Sequence, residues 1–168
     1  MKFFQNIRNK VLRDEGVRFF LGSFFILFSV LLFASFVSFF LSWKNDQSEM
    51  DVTFIDYLFD IEIKTENIAG KIGAFFSEIF IHYLIGIAAF VVPFMMFIFA
   101  LRFFRTRLLP LRKTFRYSIV TALIISAVSG YLFEGSFNSN IGGLHGYYLN
   151  RWLVSLLGKI GTGFFLLM

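Results

Sequence analysis

The chain has 168 residues, of which 57% are hydrophobic, 27 are Phe and only 16% are charged. Its mean hydropathy of +0.72 excludes an ordinary soluble domain of this length. The formal net charge is +5, and the lack of any Cys excludes disulfides, a Cys-ligated metal and a thiol nucleophile. We therefore expect an all-α, polytopic membrane protein.

Long runs of apolar residues predict four transmembrane helices, because a helix rising 1.5 Å per residue needs about 20 residues to cross a hydrocarbon core. The first run, 19–43, lacks a signal-peptide cleavage site and is predicted to be a retained anchor. The second run, 79–101, contains Pro93, which membrane helices tolerate. The third and fourth runs, 117–133 and 152–168, have 17 residues each, close to the lower limit.

The segments between these runs differ in charge, which predicts their side of the membrane. Residues 1–18 hold five bases and two acids, and residues 102–116 hold six bases and no acid. Lys and Arg beside a span keep a loop in the cytoplasm, so both segments are predicted to be cytoplasmic. The acidic segment 44–78 and the segment 134–151 are predicted to be exported, which leaves both termini inside.

The six bases of the 102–116 hairpin are predicted to be topology determinants and to contact anionic lipid. They are Arg102, Arg105, Arg107, Arg112, Lys113 and Arg116. The hairpin interleaves these bases with Phe, as some nucleic-acid-binding patches do. Topology and lipid contact explain the same residues without such a ligand, so they are the favoured interpretation.

Small residues mark the faces on which the predicted helices pack. Ser118, Ala122, Ser126 and Gly130 recur at every fourth position and so form one stripe along a helix, where missing bulk lets another backbone approach. The same reasoning adds Gly70, Gly73, Ala74, Gly158 and Gly161 as packing positions. A helix is predicted to begin in the interface at about residue 67, with Asn67 as its N-cap.

Few residues could take part in catalysis, proton transfer or metal binding. Glu78 and His82 are one helical turn apart, and Lys159 lies in an apolar run, so a proton or metal relay is conceivable. These three residues support an alternative function, a small proton-coupled transporter or channel subunit. Two side chains do not fill a metal's coordination sphere, and the run "LLGKIGTGFF" fails the phosphate-loop pattern because Ile160 follows Lys159. We expect no catalytic, cofactor-binding or metal site in this chain.

Two stretches carry a resemblance. Residues 67–96 read "NIAGKIGAFFSEIFIHYLIGIAAFVVPFMM", and residues 140–167 read "NIGGLHGYYLNRWLVSLLGKIGTGFFLL". The first resembles the N-x-x-G-x-x-G-A opening and the second span of the amino-terminal membrane domain of the FtsK/SpoIIIE family of bacterial DNA translocases. The second is similar to that family's G-G-x-x-G start of its last span, matched by Gly142, Gly143 and Gly146.

The resemblance implies a membrane anchor and assembly domain of a septal translocase that links cell division to chromosome segregation. It implies a multi-pass protein of the bacterial inner membrane at the division septum, a homo-oligomer that contacts other division proteins. DNA, ATP and Mg²⁺ would be handled only by a carboxyl-terminal motor domain that is absent here. The full-length protein is then expected to be an ATP-dependent DNA translocase.

The end of the fourth run supports the same expectation. The predicted inner helix ends are flanked by Arg18, Arg102 and Arg116, whereas the fourth run ends at Met168 without a basic residue. A terminal carboxylate at the hydrocarbon edge would cost several kcal/mol. We therefore expect the reading frame to continue past Met168.

Overall fold

The computed structural model describes residues 14–49, 54–62, 64–133 and 141–168. Every regular element in these ranges is helical, which confirms the all-α prediction. Some predictions lie outside the described residues. They concern residues 1–13 of the basic amino-terminal segment, residues 50–53 and 63 of the acidic loop, and residues 134–140 of the second exported loop.

The first helix, α1, covers Glu15–Glu49 and is followed by the short helix α2, Phe54–Phe59. Asp14 precedes α1, and its Oδ1 atom accepts a hydrogen bond from the Val17 backbone N–H at 3.2 Å. This contact satisfies one of the unpaired N–H groups at the helix start. Because a helix does not stop where the hydrocarbon ends, α1 extends beyond both ends of the predicted span 19–43.

The second span changes its helical type along its length. It begins as the α-helix α3, Gly70–Ser77, widens into a π-helix at Glu78–Ile85 and tightens into a 3₁₀ helix at Gly86–Phe90. The α-helix α4, Val91–Ala100, completes it. The change from π-helix to 3₁₀ helix occurs at Gly86, whose φ of 63° is left-handed and cannot continue a right-handed helix.

The remaining helices are α5, Leu111–Leu132, and α6, Gly143–Leu167. Helix α5 starts after Pro110, which is extended and cannot donate a backbone hydrogen bond. Helix α6 is broken at Gly158, where φ is 69° and ψ is 170°. The predicted fourth span, 152–168, is therefore not one straight helix.

Three helices of the described chain are long and apolar enough to cross a membrane: Glu15–Ser42, Gly70–Ala100 and Leu111–Leu132. Each begins before the corresponding predicted run, because polar and basic residues at a helix start stay helical outside the hydrocarbon. The region of the predicted fourth span is not among them.

Aromatic packing joins α1 to the second span. The core cluster contains Leu32, Phe36, Phe39, Ile81 and Ala89. The rings of Phe36 and Phe90 meet edge to face with their centroids 5.7 Å apart, an arrangement that aromatic pairs favour. Many large apolar side chains on the outer faces of the helices are exposed, among them Phe19, Phe20, Leu27 and Phe33 of α1. This surface suits contact with lipid.

Candidate functional site

Five glycines form the closest helix junction of the described chain, and we call Gly86, Gly130, Gly142, Gly143 and Gly146 the glycine junction. A Cβ atom built on Gly86 would lie 2.5 Å from the carbonyl carbon of Ile141 and from that of Gly142. A Cβ on Gly143 would lie 2.5 Å from the Gly86 nitrogen. The two backbones thus touch where the second span is broken, and no side chain would fit between them.

Helix α5 closes the junction from the other side. A Cβ on Gly130 would lie 2.6 Å from the carbonyl carbon of Gly146. The Ser126 hydroxyl donates a hydrogen bond of 2.7 Å to the Gly142 carbonyl and lies 2.9 Å from Nδ1 of His145. Ser126 precedes Leu132 by six residues, about 9 Å along the helix axis. Residues 141–146 therefore pack alongside α5, well before its carboxyl end.

A buried amide strengthens this contact between α5 and α6. Asn150 is fully buried, and its Nδ2 atom donates to the carbonyl of Ala127 at 2.6 Å and to that of Gly146 at 2.7 Å. One side chain thereby bridges carbonyl oxygens of two neighbouring helices, and each carbonyl can accept a second hydrogen bond because it has two lone pairs. Within the described residues, the Asn150 Oδ1 atom has no hydrogen-bond partner.

A second polar cluster, which we call the polar clamp, consists of Ser35, Ser38, Asn67 and Ser77. The Ser35 hydroxyl lies 2.9 Å from both Asn67 Oδ1 and the Ser77 hydroxyl, and Asn67 Nδ2 donates to the Ser35 carbonyl at 3.0 Å. The Ser38 hydroxyl accepts from the Ile68 backbone N–H at 3.1 Å. All four side chains are buried. The clamp fixes the start of the second span against α1.

The structure corrects the prediction that Asn67 is the N-cap of a helix starting at about residue 67. Helix α3 begins at Gly70, and Ala69 occupies the N-cap position without a side-chain hydrogen bond. Asn67 Oδ1 instead accepts from the Ala69 N–H at 3.0 Å, which closes a turn ahead of the helix. The left-handed Gly70, with φ 66°, separates this turn from the helix.

Most of the predicted packing residues lie at these contacts. A Cβ on Gly73 would lie 2.6 Å from the Ser35 hydroxyl, and Ala74 is fully buried. On α5, Ala122 and Ser126 are buried, Gly130 belongs to the glycine junction, and the Ser118 hydroxyl faces the Met95 sulfur at 3.4 Å. A Cβ on Gly161 would lie 3.1 Å from the Leu157 Cβ of its own helix.

Two of the predicted packing glycines differ from the others in conformation. Gly70 and Gly158 have positive φ, and within the described chain a Cβ on either would meet nothing within 4 Å. The positive φ at each position lets the chain change direction. A stripe of glycines in a sequence does not distinguish a position that needs space from one that needs a left-handed φ.

The predicted topology bases separate into two groups. Arg102, Arg105 and Arg107 border a cavity of about 630 Å³ together with Arg18 of α1. Arg112 borders a separate apolar groove between the second span and α5, with a volume of about 720 Å³. Lys113 and Arg116 are exposed, and the Arg116 guanidinium lies 5.4 Å from the centre of the Tyr117 ring.

Of the candidate relay residues, Glu78 and His82 lie one helical turn apart on the second span, whereas Lys159 lies on α6. Glu78 is buried one turn from His82, whose ring meets that of Tyr83 edge to face with centroids 5.0 Å apart. The backbone carbonyl of Lys159 accepts a hydrogen bond of 3.0 Å from the Tyr131 hydroxyl. In the described ranges, His, Asp and Glu residues form no group of three that could hold a metal ion.

Sequence reasoning missed three contributors to these sites. Gly86 is an isolated glycine inside an apolar run, and this isolation was the available signal for a break in the span. Ser35 and Asn150 gave no signal, because a polar residue in an apolar helix does not identify its partner helix. Their hydrogen bonds join residues that are 32 and 23 positions apart in the chain.

Three long apolar helices, with exposed apolar surface around them, define a multi-pass membrane domain. The chain belongs to the FtsK/SpoIIIE family: residues 16–168 match the model described as the 4TM region of DNA translocase FtsK/SpoIIIE. The match confirms the resemblance seen in the sequence and identifies the chain as a membrane-anchoring region of such translocases. Neither the curated proteins nor the solved structures include a match.

Proposed function

We propose that this chain anchors a DNA translocase at the division septum of the bacterial cytoplasmic membrane. It would cross the membrane four times, with residues 152–168 in the fourth span and both termini in the cytoplasm. It would assemble as a homo-oligomer and contact other division proteins, and so link division to chromosome segregation. Catalysis would belong to the family's motor domain, with ATP, Mg²⁺ and DNA bound there, and this chain would bind no cofactor.

The match to the family's membrane region along residues 16–168 is the observation that carries the proposal. The glycine junction and the polar clamp support a scaffolding role, because buried backbone contacts and hydrogen bonds hold helices in fixed positions. A septal anchor needs such a rigid arrangement to present constant surfaces to its partners.

Localisation of the chain fused to a fluorescent protein tests the septal role. We expect enrichment at division sites for the unchanged chain and for Ile124→Leu, a control on the exposed face of α5. Gly130→Leu inserts bulk into the glycine junction and should reduce septal enrichment at equal membrane content. Uniform distribution of the unchanged chain around the cell membrane would contradict the proposal.

A small proton-coupled transporter or channel subunit is the second candidate, and the burial of Glu78 favours it. Only 6% of Glu78 is exposed. A carboxyl group buried within a membrane span is energetically costly, so such residues usually mark a functional site. Glu78→Gln separates the two functions. An anchor should keep its septal localisation with this substitution, whereas a proton-coupled transporter should lose uptake.

A further inference from the structure

The second span ends in a Schellman motif with an arginine where glycine is usual. The Thr106 N–H donates to the Leu101 carbonyl at 3.1 Å, and the Arg105 N–H donates to the Arg102 carbonyl at 3.1 Å. These two bonds define Arg105 as the left-handed residue just past the helix end, and its φ is 61°. A glycine would adopt this conformation more easily.

The same helix end is held by a buried base from α1. Arg18 is 8% exposed, and its Nη2 atom donates to the Phe103 carbonyl. On the other side of the helix end, the Arg102 guanidinium donates to the Leu109 carbonyl. Both guanidinium groups keep further N–H donors beyond these bonds, because each carries five. Arg18 and Arg102 are thus held in place by hydrogen bonds within the protein before any ligand binds.

Arg18, Arg102, Arg105 and Arg107 together line a cavity of about 630 Å³, which we call the arginine cavity. In the described chain, one carboxylate approaches it: Glu15 lies 3.9 Å from Arg105, and both side chains are largely exposed. Such an exposed pair contributes little. Four positive charges around one space therefore face at most one negative charge, an arrangement that an anion with several oxygen acceptors would stabilise.

We propose that the arginine cavity binds the phosphate group of an anionic phospholipid in the inner leaflet. Guanidinium groups form paired hydrogen bonds with phosphate oxygens. The cavity lies at the end of a membrane span, and Phe19 and Phe20, which follow Arg18 in α1, are exposed, as expected where lipid headgroups lie next to acyl chains. The inference rests on the proposed function only in taking residues 102–109 to be on the cytoplasmic side.

Lipid retention by the purified chain tests the site. The probe is phosphatidylglycerol, added to protein in a neutral detergent and counted by native mass spectrometry, with phosphatidylcholine as the neutral reference. Arg105→Gly and Arg107→Gln should each weaken phosphatidylglycerol binding roughly fivefold, and the double variant roughly thirtyfold. Lys64→Gln, an exposed base of the acidic segment outside the cavity, is the matched control and should change binding less than twofold. Arg107→Lys should restore part of the loss.

Thermal unfolding without lipid separates ligand binding from a structural role. Arg105→Gly should unfold at the same or a higher temperature than the parent, because glycine fits the left-handed position. Loss of lipid with retained stability supports the site. Equal lipid loss in Lys64→Gln, or unchanged binding in the double variant, would overturn it.

Inorganic phosphate distinguishes the source of the anion. Stabilisation by phosphate alone, with no preference for phosphatidylglycerol over phosphatidylcholine, would overturn the lipid assignment. Separate failure of the proposed topology would be detected as labelling of a cysteine at position 106 from outside the cell, while lipid binding in detergent stayed intact.

Discussion

At the scale of single residues, the polar clamp shows how a few hydroxyl and amide groups position a membrane helix. Asn67 contacts the backbone and the side chain of Ser35 and also closes the turn before α3. Each polar group thus provides a hydrogen-bond partner for another polar group that is buried away from water. Removal of one member leaves the others without partners, which costs more than the bond itself contributes.

We expect Asn67→Ala to lower the free energy of unfolding by about 1–3 kcal/mol, the cost of leaving buried polar groups unpaired. Ser155→Ala is the control, since Ser155 is exposed and bonds only to the Trp152 carbonyl of its own helix. It should change stability by less than about 0.5 kcal/mol. Unfolding in detergent measures both variants, and equal stability of the two would contradict the role of the clamp.

Gly86 gives a second prediction, because its conformation and its surroundings both exclude a side chain. Gly86→Ala should destabilise the chain by about 3 kcal/mol or more, through a strained backbone and a clash with Ile141 and Gly142. Gly70→Ala is the matched control: its φ is also positive, yet among the described residues nothing lies within 4 Å of the new methyl group. It should cost only about 1–2 kcal/mol. Comparison of the two melting temperatures isolates the clash, and equal losses would argue against close contact at the junction.

At the scale of the elements, α6 shows why a helix need not be one rigid rod. Gly158 has φ 69° and ψ 170°, which only glycine adopts readily, and it separates the part that carries Gly146 and Asn150 from the last turns. The Thr162 hydroxyl donates to the Gly158 carbonyl at 2.9 Å and so provides a partner for that group at the bend.

We predict that Gly158→Ala straightens α6, because alanine favours the helical conformation and resists a positive φ. Spin labels on cysteines at Tyr148 and Phe165, two exposed positions, would report the distance by pulsed electron resonance. The distance should increase towards the value of a straight helix, about 25 Å for 17 residues before the label linkers are added. Gly161→Ala should leave it unchanged, and a parent distance already at the straight-helix value would refute the bend.

The apolar runs, their helical state and the small-residue stripe of α5 could be predicted from the sequence, because each depends on local spacing. The contact of Gly86 with Gly143 could not, because residues far apart in the chain meet through backbone atoms and leave no pattern. The positive φ of Gly158 could not be predicted for a related reason: a glycine that fits between helices and a glycine that bends a helix look alike in a sequence. The left-handed conformation of Arg105 could not be predicted either, because arginine rarely replaces glycine at a helix end.

At the scale of the whole molecule, the distribution of bases predicts how the chain lies in the membrane. The arginines of the 102–109 segment and Arg18 lie together at one end of the helices. The residues before α3, including the exposed Asp60 and Glu62, belong to the acidic segment. Basic residues at one end favour its retention in the cytoplasm.

The absence of Cys from the sequence makes this orientation testable with single cysteines at exposed positions. Asp60→Cys should react with a membrane-impermeant maleimide in intact cells, and Thr106→Cys only after permeabilisation. Leu123→Cys, on the outer face of α5, should react in neither case because lipid covers it. Reaction of Thr106→Cys in intact cells would contradict the proposed topology.

The break in the second span also has a consequence for biosynthesis. Irregular backbone is tolerated at membrane depth only where protein covers it, and the cover at Gly86 is supplied by residues 141–143. The ribosome makes these residues only after α5 is complete. Until then, the irregular backbone of the second span must be shielded from lipid by another protein, such as the insertion machinery. We therefore expect a nascent chain stopped after Leu132 to stay bound to that machinery, and one that includes residues up to Asn150 to be released into the lipid.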